Sequence, residues 1–181
     1  MRSVTSPRRI IWIPAALAIG FCVAPIVERS VAAGAPLERV VSMHDSCDPQ
    51  SFNAAVGPGT CLRNGGVQFD DFIGQILRFQ SVGGWHFGPP QTDAKVGDTF
   101  VAVNKGGEVH TFTEVDDFGG SIIPELNALL GNHEPPDACK ALEDDDFVPP
   151  GNTYTEKLDE PGTKKFQCCI HSWMHLTATV K

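Results

Sequence analysis

Three ligand-type side chains stand three residues apart near the end of this chain: a thiol at Cys168, an imidazole at His171 and a thioether at Met174. A second imidazole, His110, lies upstream in the alternating run 109–115. Two imidazoles, one thiolate and a weak axial thioether make a trigonal site that suits copper in one-electron transfer. Soft sulfur favours Cu(I) and imidazole accepts either oxidation state, so one fixed cage can hold both.

Such a cage needs strands to fix it. From Gly84 onward the apolar period is two, and short runs at 85–87, 99–103, 109–115, 152–158, 165–168 and 175–180 read as strands. An earlier run, 39–43, reads as a first strand. Turn signals at 88–90, 96–98, 106–107, 149–151 and 160–162 divide them. Many short strands with such turns predict a mainly β fold, a Greek-key β-sandwich.

Two segments break the pattern. Asp48 is a helix cap and Pro49 a first-turn residue, which predicts a helix over 50–56 that Gly57, Pro58 and Gly59 stop. In 67–77, Phe69, Phe72, Ile73, Ile76 and Leu77 fall at helical spacing and form one apolar stripe. The stretch 44–83 therefore reads as a small disulfide-tied helical insertion laid against the sandwich. A further short helix is expected at 123–130, in the long connection after His110.

The run from Cys168 to Met174, with His110 inside the stretch 107–112, resembles the cupredoxins (plastocyanin, amicyanin, azurin). The short ligand spacing is most similar to the amicyanin type. The run 95–104 likewise resembles the strand before the family's first histidine. The likeness covers roughly residues 84–181. It implies a type 1 blue copper site with His110, Cys168, His171 and Met174 as ligands, Met174 being axial. It implies one copper ion, single-electron carriage between redox partners, and no enzyme activity. In the family the second histidine protrudes through an apolar patch; His171 takes that role by resemblance, with Ile170 and Trp173 beside it. Two departures stand out. Ser172 occupies a place where many relatives have proline, and the long stretch from His110 to Cys168 implies an insertion.

The N-terminus has arginines at 2, 8 and 9, an apolar run over 10–24 and small residues at 30–35. That order describes a cleaved signal peptide over 1–33, the alternative being an uncleaved membrane anchor, and an exported, periplasmic or secreted, protein. The organisation read from the sequence is a signal peptide at 1–33, a first strand plus helical insertion at 34–83, and a copper-binding sandwich at 84–181. No other run is apolar enough to cross a bilayer. The whole chain carries a formal charge of −8; the segment before Gly34 holds four arginines against Glu28, so the remainder stands at −11. An acidic surface argues against nucleic acid and anionic membranes as partners; it permits steering toward a basic redox protein or simply keeps an exported protein soluble. The expected state is a monomer.

Six cysteines occur, at 22, 47, 61, 139, 168 and 169. Loss of Cys22 with the signal leaves five, an odd number in an oxidising compartment. Four cysteines allow three pairings. If Cys168 binds the metal, Cys47–Cys61 is the economical first pair and Cys139–Cys169 remains. Neighbouring strand residues point oppositely, so only one of Cys168 and Cys169 faces the histidines. Asn104 or a backbone amide beside His110 is expected to donate to the sulfur. His44, His86, His133 and His175 lack ligand spacing.

Other chemistries fit less well. A periplasmic copper carrier without electron transfer shares these ligands but usually uses Met- or His-rich tracts, and the chain has three methionines. A multicopper oxidase needs paired histidines, and no His-x-His occurs. A zinc site from Cys168, Cys169, His171 and His175 leaves His110 and Met174 unexplained.

Overall fold

The computed structural model describes residues 35–181, so the segment read as a signal peptide lies outside the described residues. Eight strands follow in chain order: β1 (Glu38–His44), β2 (His86–Gly88), β3 (Gln91–Ala94), β4 (Thr99–Asn104), β5 (Thr113–Val115), β6 (Thr153–Lys157), β7 (Gly162–Gln167) and β8 (His175–Val180). They form two four-stranded mixed sheets, ordered β2-β1-β4-β6 and β3-β8-β7-β5. The pairs β1–β4 and β3–β8 run parallel. The other ladders are antiparallel.

Alternation explains the layering. Along β4 and β8 every second residue is buried, so one face of each strand turns inward. The inner faces meet at Phe100 of β4, whose ring stands edge-on to Phe166 of β7 at 5.4 Å. Phe112 stacks on Phe166 at 4.5 Å and fills the space toward the site. Each fully buried phenylalanine stabilises the sandwich by about 1.5–3 kcal/mol.

Four helices sit outside the sheets: α1 (Pro49–Ala55), α2 (Phe69–Phe79), α3 (Pro124–Leu129) and α4 (Asp137–Lys140). None of the described helices is long and apolar enough to cross a membrane. In α1 the Asp48 carboxylate accepts from the Ser51 amide at 2.8 Å, the expected cap. The Ser51 hydroxyl in turn accepts from the Phe69 amide at 3.1 Å, fastening the start of α2 to α1. In α2, Asp70 and Asp71 occupy the first turn and Arg78 the last, matching the helix dipole. Phe72 and Ile76 are buried, but Leu77 is 61 % exposed: one helical step beyond Ile76, it turns off the stripe. The aromatic cluster of Phe52, Phe69, Phe72 and Trp85 joins both helices to the sandwich core.

Two disulfides, Cys47–Cys61 and Cys139–Cys169, match the expected pairing. The strand expected over 109–115 is shorter. Only 113–115 joins a ladder, and His110 instead forms an isolated antiparallel bridge with Val148. Strand β3 and helix α4 were not anticipated.

Candidate metal centre

His110 is placed by hydrogen bonds on both sides. Its amide donates to the Val148 carbonyl at 3.2 Å, and the Val148 amide donates back at 2.8 Å. The Asn104 side-chain amide donates to the carbonyls of Glu108 and Val148, each at 2.8 Å. Its oxygen accepts from the Gly106 amide at 2.9 Å. Asn104 thus holds the loop that carries His110, and its amide is fully engaged there rather than at the sulfur.

Cys168 follows the last residue of β7. The Cys168 amide donates to the Met174 carbonyl at 3.1 Å, and the Met174 amide donates to the His171 carbonyl at 2.9 Å. These bonds close residues 168–174 into a tight turn. Met174 is fully buried at its end, in the same core cluster as Cys168. The Cys169 amide donates to the Thr111 hydroxyl at 2.8 Å, which fastens this turn to the His110 segment.

The three predicted side chains converge. Cys168 Sγ lies 3.8 Å from Nδ1 of His110 and 3.8 Å from Nδ1 of His171, and the two nitrogens are 3.2 Å apart. All three groups are buried. The point equidistant from the three atoms lies about 2.1 Å from each, a metal–nitrogen bond length and slightly short for metal–sulfur. The donor set and its size fit a thiophilic ion such as copper. Backbone amides of Thr111 and His171 each approach Sγ at 3.5 Å, so the donor beside His110 is Thr111.

Two carboxylates complete the arrangement, and their role was not foreseen. Asp45, just past β1, accepts from the Cys47 and Gly107 amides through Oδ1. Its Oδ2 accepts from the Glu108 amide at 2.9 Å and lies 3.0 Å from His110 Nε2. Glu108 Oε2 accepts from the Trp85 indole at 2.6 Å and lies 3.5 Å from His171 Nε2. A carboxylate accepts only, so Nε2 of His110 carries a proton, and Nδ1 is the nitrogen turned toward the sulfur. Among the motif residues only Glu108 hinted at this, being two residues from His110; nothing in the spacing marks Asp45.

The electrostatics follow. Burial alone would raise the Cys168 thiol, but hydrogen bonds and charge from His110 and His171 outweigh it and push it well down. Burial opposes a charged His171, yet the Cys168 sulfur and the Glu108 carboxylate raise it to about 10. Burial would also raise Asp45, but His110 and the amides of Glu108 and Gly107 bring it down to about 2.

His171 does not protrude as the resemblance implied; it is 3 % exposed. Trp85 and Trp173 pack against its ring at 6.4 and 5.5 Å, and Phe72 of α2 braces both tryptophans. The helical segment roofs this side of the site. His171 borders an apolar cleft of about 620 Å³ between α1, α2 and α3, lined in part by Phe52, Phe69, Leu126 and Ile170. The other histidines stay apart from the cluster: His44 stacks on His86, and His175 stacks on Phe118 at 3.7 Å.

No family model matches this chain. Over 102 residues it is 33 % identical to a plastocyanin of Vicia faba, a match that spans 54 % of this chain and 87 % of that protein. The chain belongs to the cupredoxin family. Among solved structures, this cupredoxin is similar to a purple cupredoxin from Nitrosopumilus maritimus, at 15 % identity and a TM-score of 0.42, covering 78 % of this chain and 98 % of that one. It is also similar to the Cu(I) form of an amicyanin mutant, at 19 % identity and a TM-score of 0.36, covering 53 % of this chain and 73 % of that one.

Proposed function

We propose that this cupredoxin is an exported type 1 copper protein that carries single electrons between redox partners. In this reading His110, Cys168 and His171 would hold the ion through their converging nitrogens and sulfur, and Met174 would be the fourth ligand. A copper ion bound there supplies one-electron chemistry between Cu(II) and Cu(I). The observation that carries the reading is the convergence of one thiol sulfur and two imidazole nitrogens within 3.8 Å of one another, all buried.

The residues would divide the work as follows. Cys168 binds as a thiolate, and the Thr111 and His171 amides stabilise charge on its sulfur. Two ligands, Cys168 and His171, lie on one closed turn, while His110 comes from a segment bridged to Val148. A cage fixed this firmly changes little between oxidation states, so reorganisation is small. Water is kept away by the aromatic roof over His171. Electrons would pass through His171 at the edge of the apolar cleft. The acidic chain, with Glu143, Asp144 and Asp145 exposed, suits a basic redox protein as partner. A copper carrier without electron transfer is the competing reading; full burial of the three donor groups favours retention of an ion over its release.

The test is optical and electrochemical. Cu(II) is added to the purified protein and the visible spectrum recorded. A strong thiolate-to-copper charge-transfer band, lost in Cys168→Ser, with reversible one-electron voltammetry, supports the reading. Binding of copper without such a band, or without reversible electron exchange, refutes it in favour of carriage.

A further inference from the structure

Both imidazoles of the cluster meet a buried carboxylate with the nitrogen that faces away from Cys168. His110 Nε2 lies 3.0 Å from Asp45 Oδ2, with both side chains essentially inaccessible. His171 Nε2 lies 3.5 Å from Glu108 Oε2, where the side chains are 3 % and 9 % exposed. The two residues are themselves linked, since the Glu108 backbone amide donates to Asp45 Oδ2 at 2.9 Å. Resting on the copper reading above, we propose that Asp45, hydrogen-bonded to His110, and Glu108, a counter-charge behind His171, are positioning residues that bias the site toward Cu(II).

Asp45 receives hydrogens from the amides of Cys47, Gly107 and Glu108 and from His110. Only an ionised carboxylate satisfies four donors; an amide would turn its own NH2 toward one of them. Glu108 likewise faces two donors, the Trp85 indole and His171. Carboxylates behind ligand imidazoles fix ring orientation and raise ligand basicity. They also change the charge that the interior must hold. With Cys168 as thiolate, the buried group carries one net negative charge around Cu(II) and two around Cu(I). Without the carboxylates it would carry one positive charge and none. Poorly screened like charges in a low dielectric disfavour the more negative state, so the oxidised form gains.

Glu108→Gln is the informative variant, because a glutamine oxygen can still accept from Trp85 while the charge is removed. We expect the charge-transfer band and the electron paramagnetic resonance signal to stay close to wild type. The Cu(I)-to-Cu(II) ratio at a fixed potential should rise at least tenfold, an upward shift of about 59 mV for a one-electron couple. Glu108→Ala should shift the potential in the same direction and also disturb the spectra. An unchanged or lowered potential in Glu108→Gln, with the band intact, overturns the carboxylate bias while leaving the copper reading standing. Absence of the band in the wild type overturns both. Asp45→Asn crowds its donors and risks misfolding, so Asp45 is tested without copper: the imidazole nitrogen-15 spectrum of the metal-free wild type should show a solvent-protected Nε2–H on His110. A His110 protonated only at Nδ1 overturns its part.

Discussion

Cys168 and Cys169 are chain neighbours whose sulfurs enter different cores. Cys168 Sγ faces His110 and His171 within the main sandwich core. Cys169 bonds to Cys139 in a separate small cluster with Val115, on the outer side of the second sheet. The same backbone stretch thus delivers a ligand inward and an anchor outward.

That division makes the anchor separable from the ligand. Replacing Cys139 and Cys169 together by alanine should cost about 2–4 kcal/mol, the usual worth of a bridge that closes a loop of this size. Denaturant unfolding measures the loss. Copper binding should survive, because the Cys168 donors and the Thr111 and His171 amides remain; loss of the copper spectrum in a folded double variant would contradict this.

Gly106 lies directly against Asp45. A methyl group built there would collide with the Asp45 carboxylate oxygen that takes His110. Gly106→Ala should therefore displace Asp45 without touching any donor atom of the cluster. The expected result is a copper affinity weakened by about 10–100-fold, the typical effect of losing a partner behind a ligand. Competition with a chelator of known affinity measures it, and an unaltered affinity would show that Asp45 does not support His110.

Phe72 tests whether the helical segment shares the sandwich core. It is 2 % exposed and touches the rings of Phe52, Trp85 and Trp173. Phe72→Ala should cost about 3–5 kcal/mol, as for other buried phenylalanines. Thermal unfolding should remain one transition at a lower midpoint. A variant in which the helices melt separately, ahead of the sheets, would argue for an independent layer.

Asp98 ties the start of β1 to the turn before β4. It accepts from Arg39 Nε, which does most to lower its carboxyl, and from the amides of Leu37 and Lys95. Its pKa falls from 3.8 to about 2. A group lower in the folded state than in the unfolded one stabilises fully above its ordinary value, and that stability disappears as pH falls through the folded value. Wild type should thus lose stability between 3.8 and about 2 more steeply than Asp98→Asn does. Equilibrium unfolding across that window checks the slope, and parallel curves would exclude the effect.

The approach of Cys168 to His171 and the disulfides were legible because each follows from a local rule. Three-residue spacing brings Cys168 and His171 onto one turn, and an odd cysteine count sets one thiol apart from the pairs. The apolar stripe of α2 announced its buried face through Phe72 and Ile76. What stayed hidden depends on distant partners. Strand β3 is polar at three of four positions and exists through its parallel ladder with β8. The role of Asp45 arises from an approach across 65 residues of chain to His110. Likewise, the roof over His171 depends on where α2 packs, which no spacing around His171 reveals.

Leu37 and Lys181 are both held by the short segment 96–99. The Thr99 amide donates to the Leu37 carbonyl, and the Val96 amide to the Lys181 carbonyl. Strands β1, β4 and β8 span from there to the His110–Cys168 pole, roughly 20 Å at the rise of a six-residue strand. A linker attached after Lys181 would tether this molecule to an electrode with the pole that carries the buried donor cluster turned away from it.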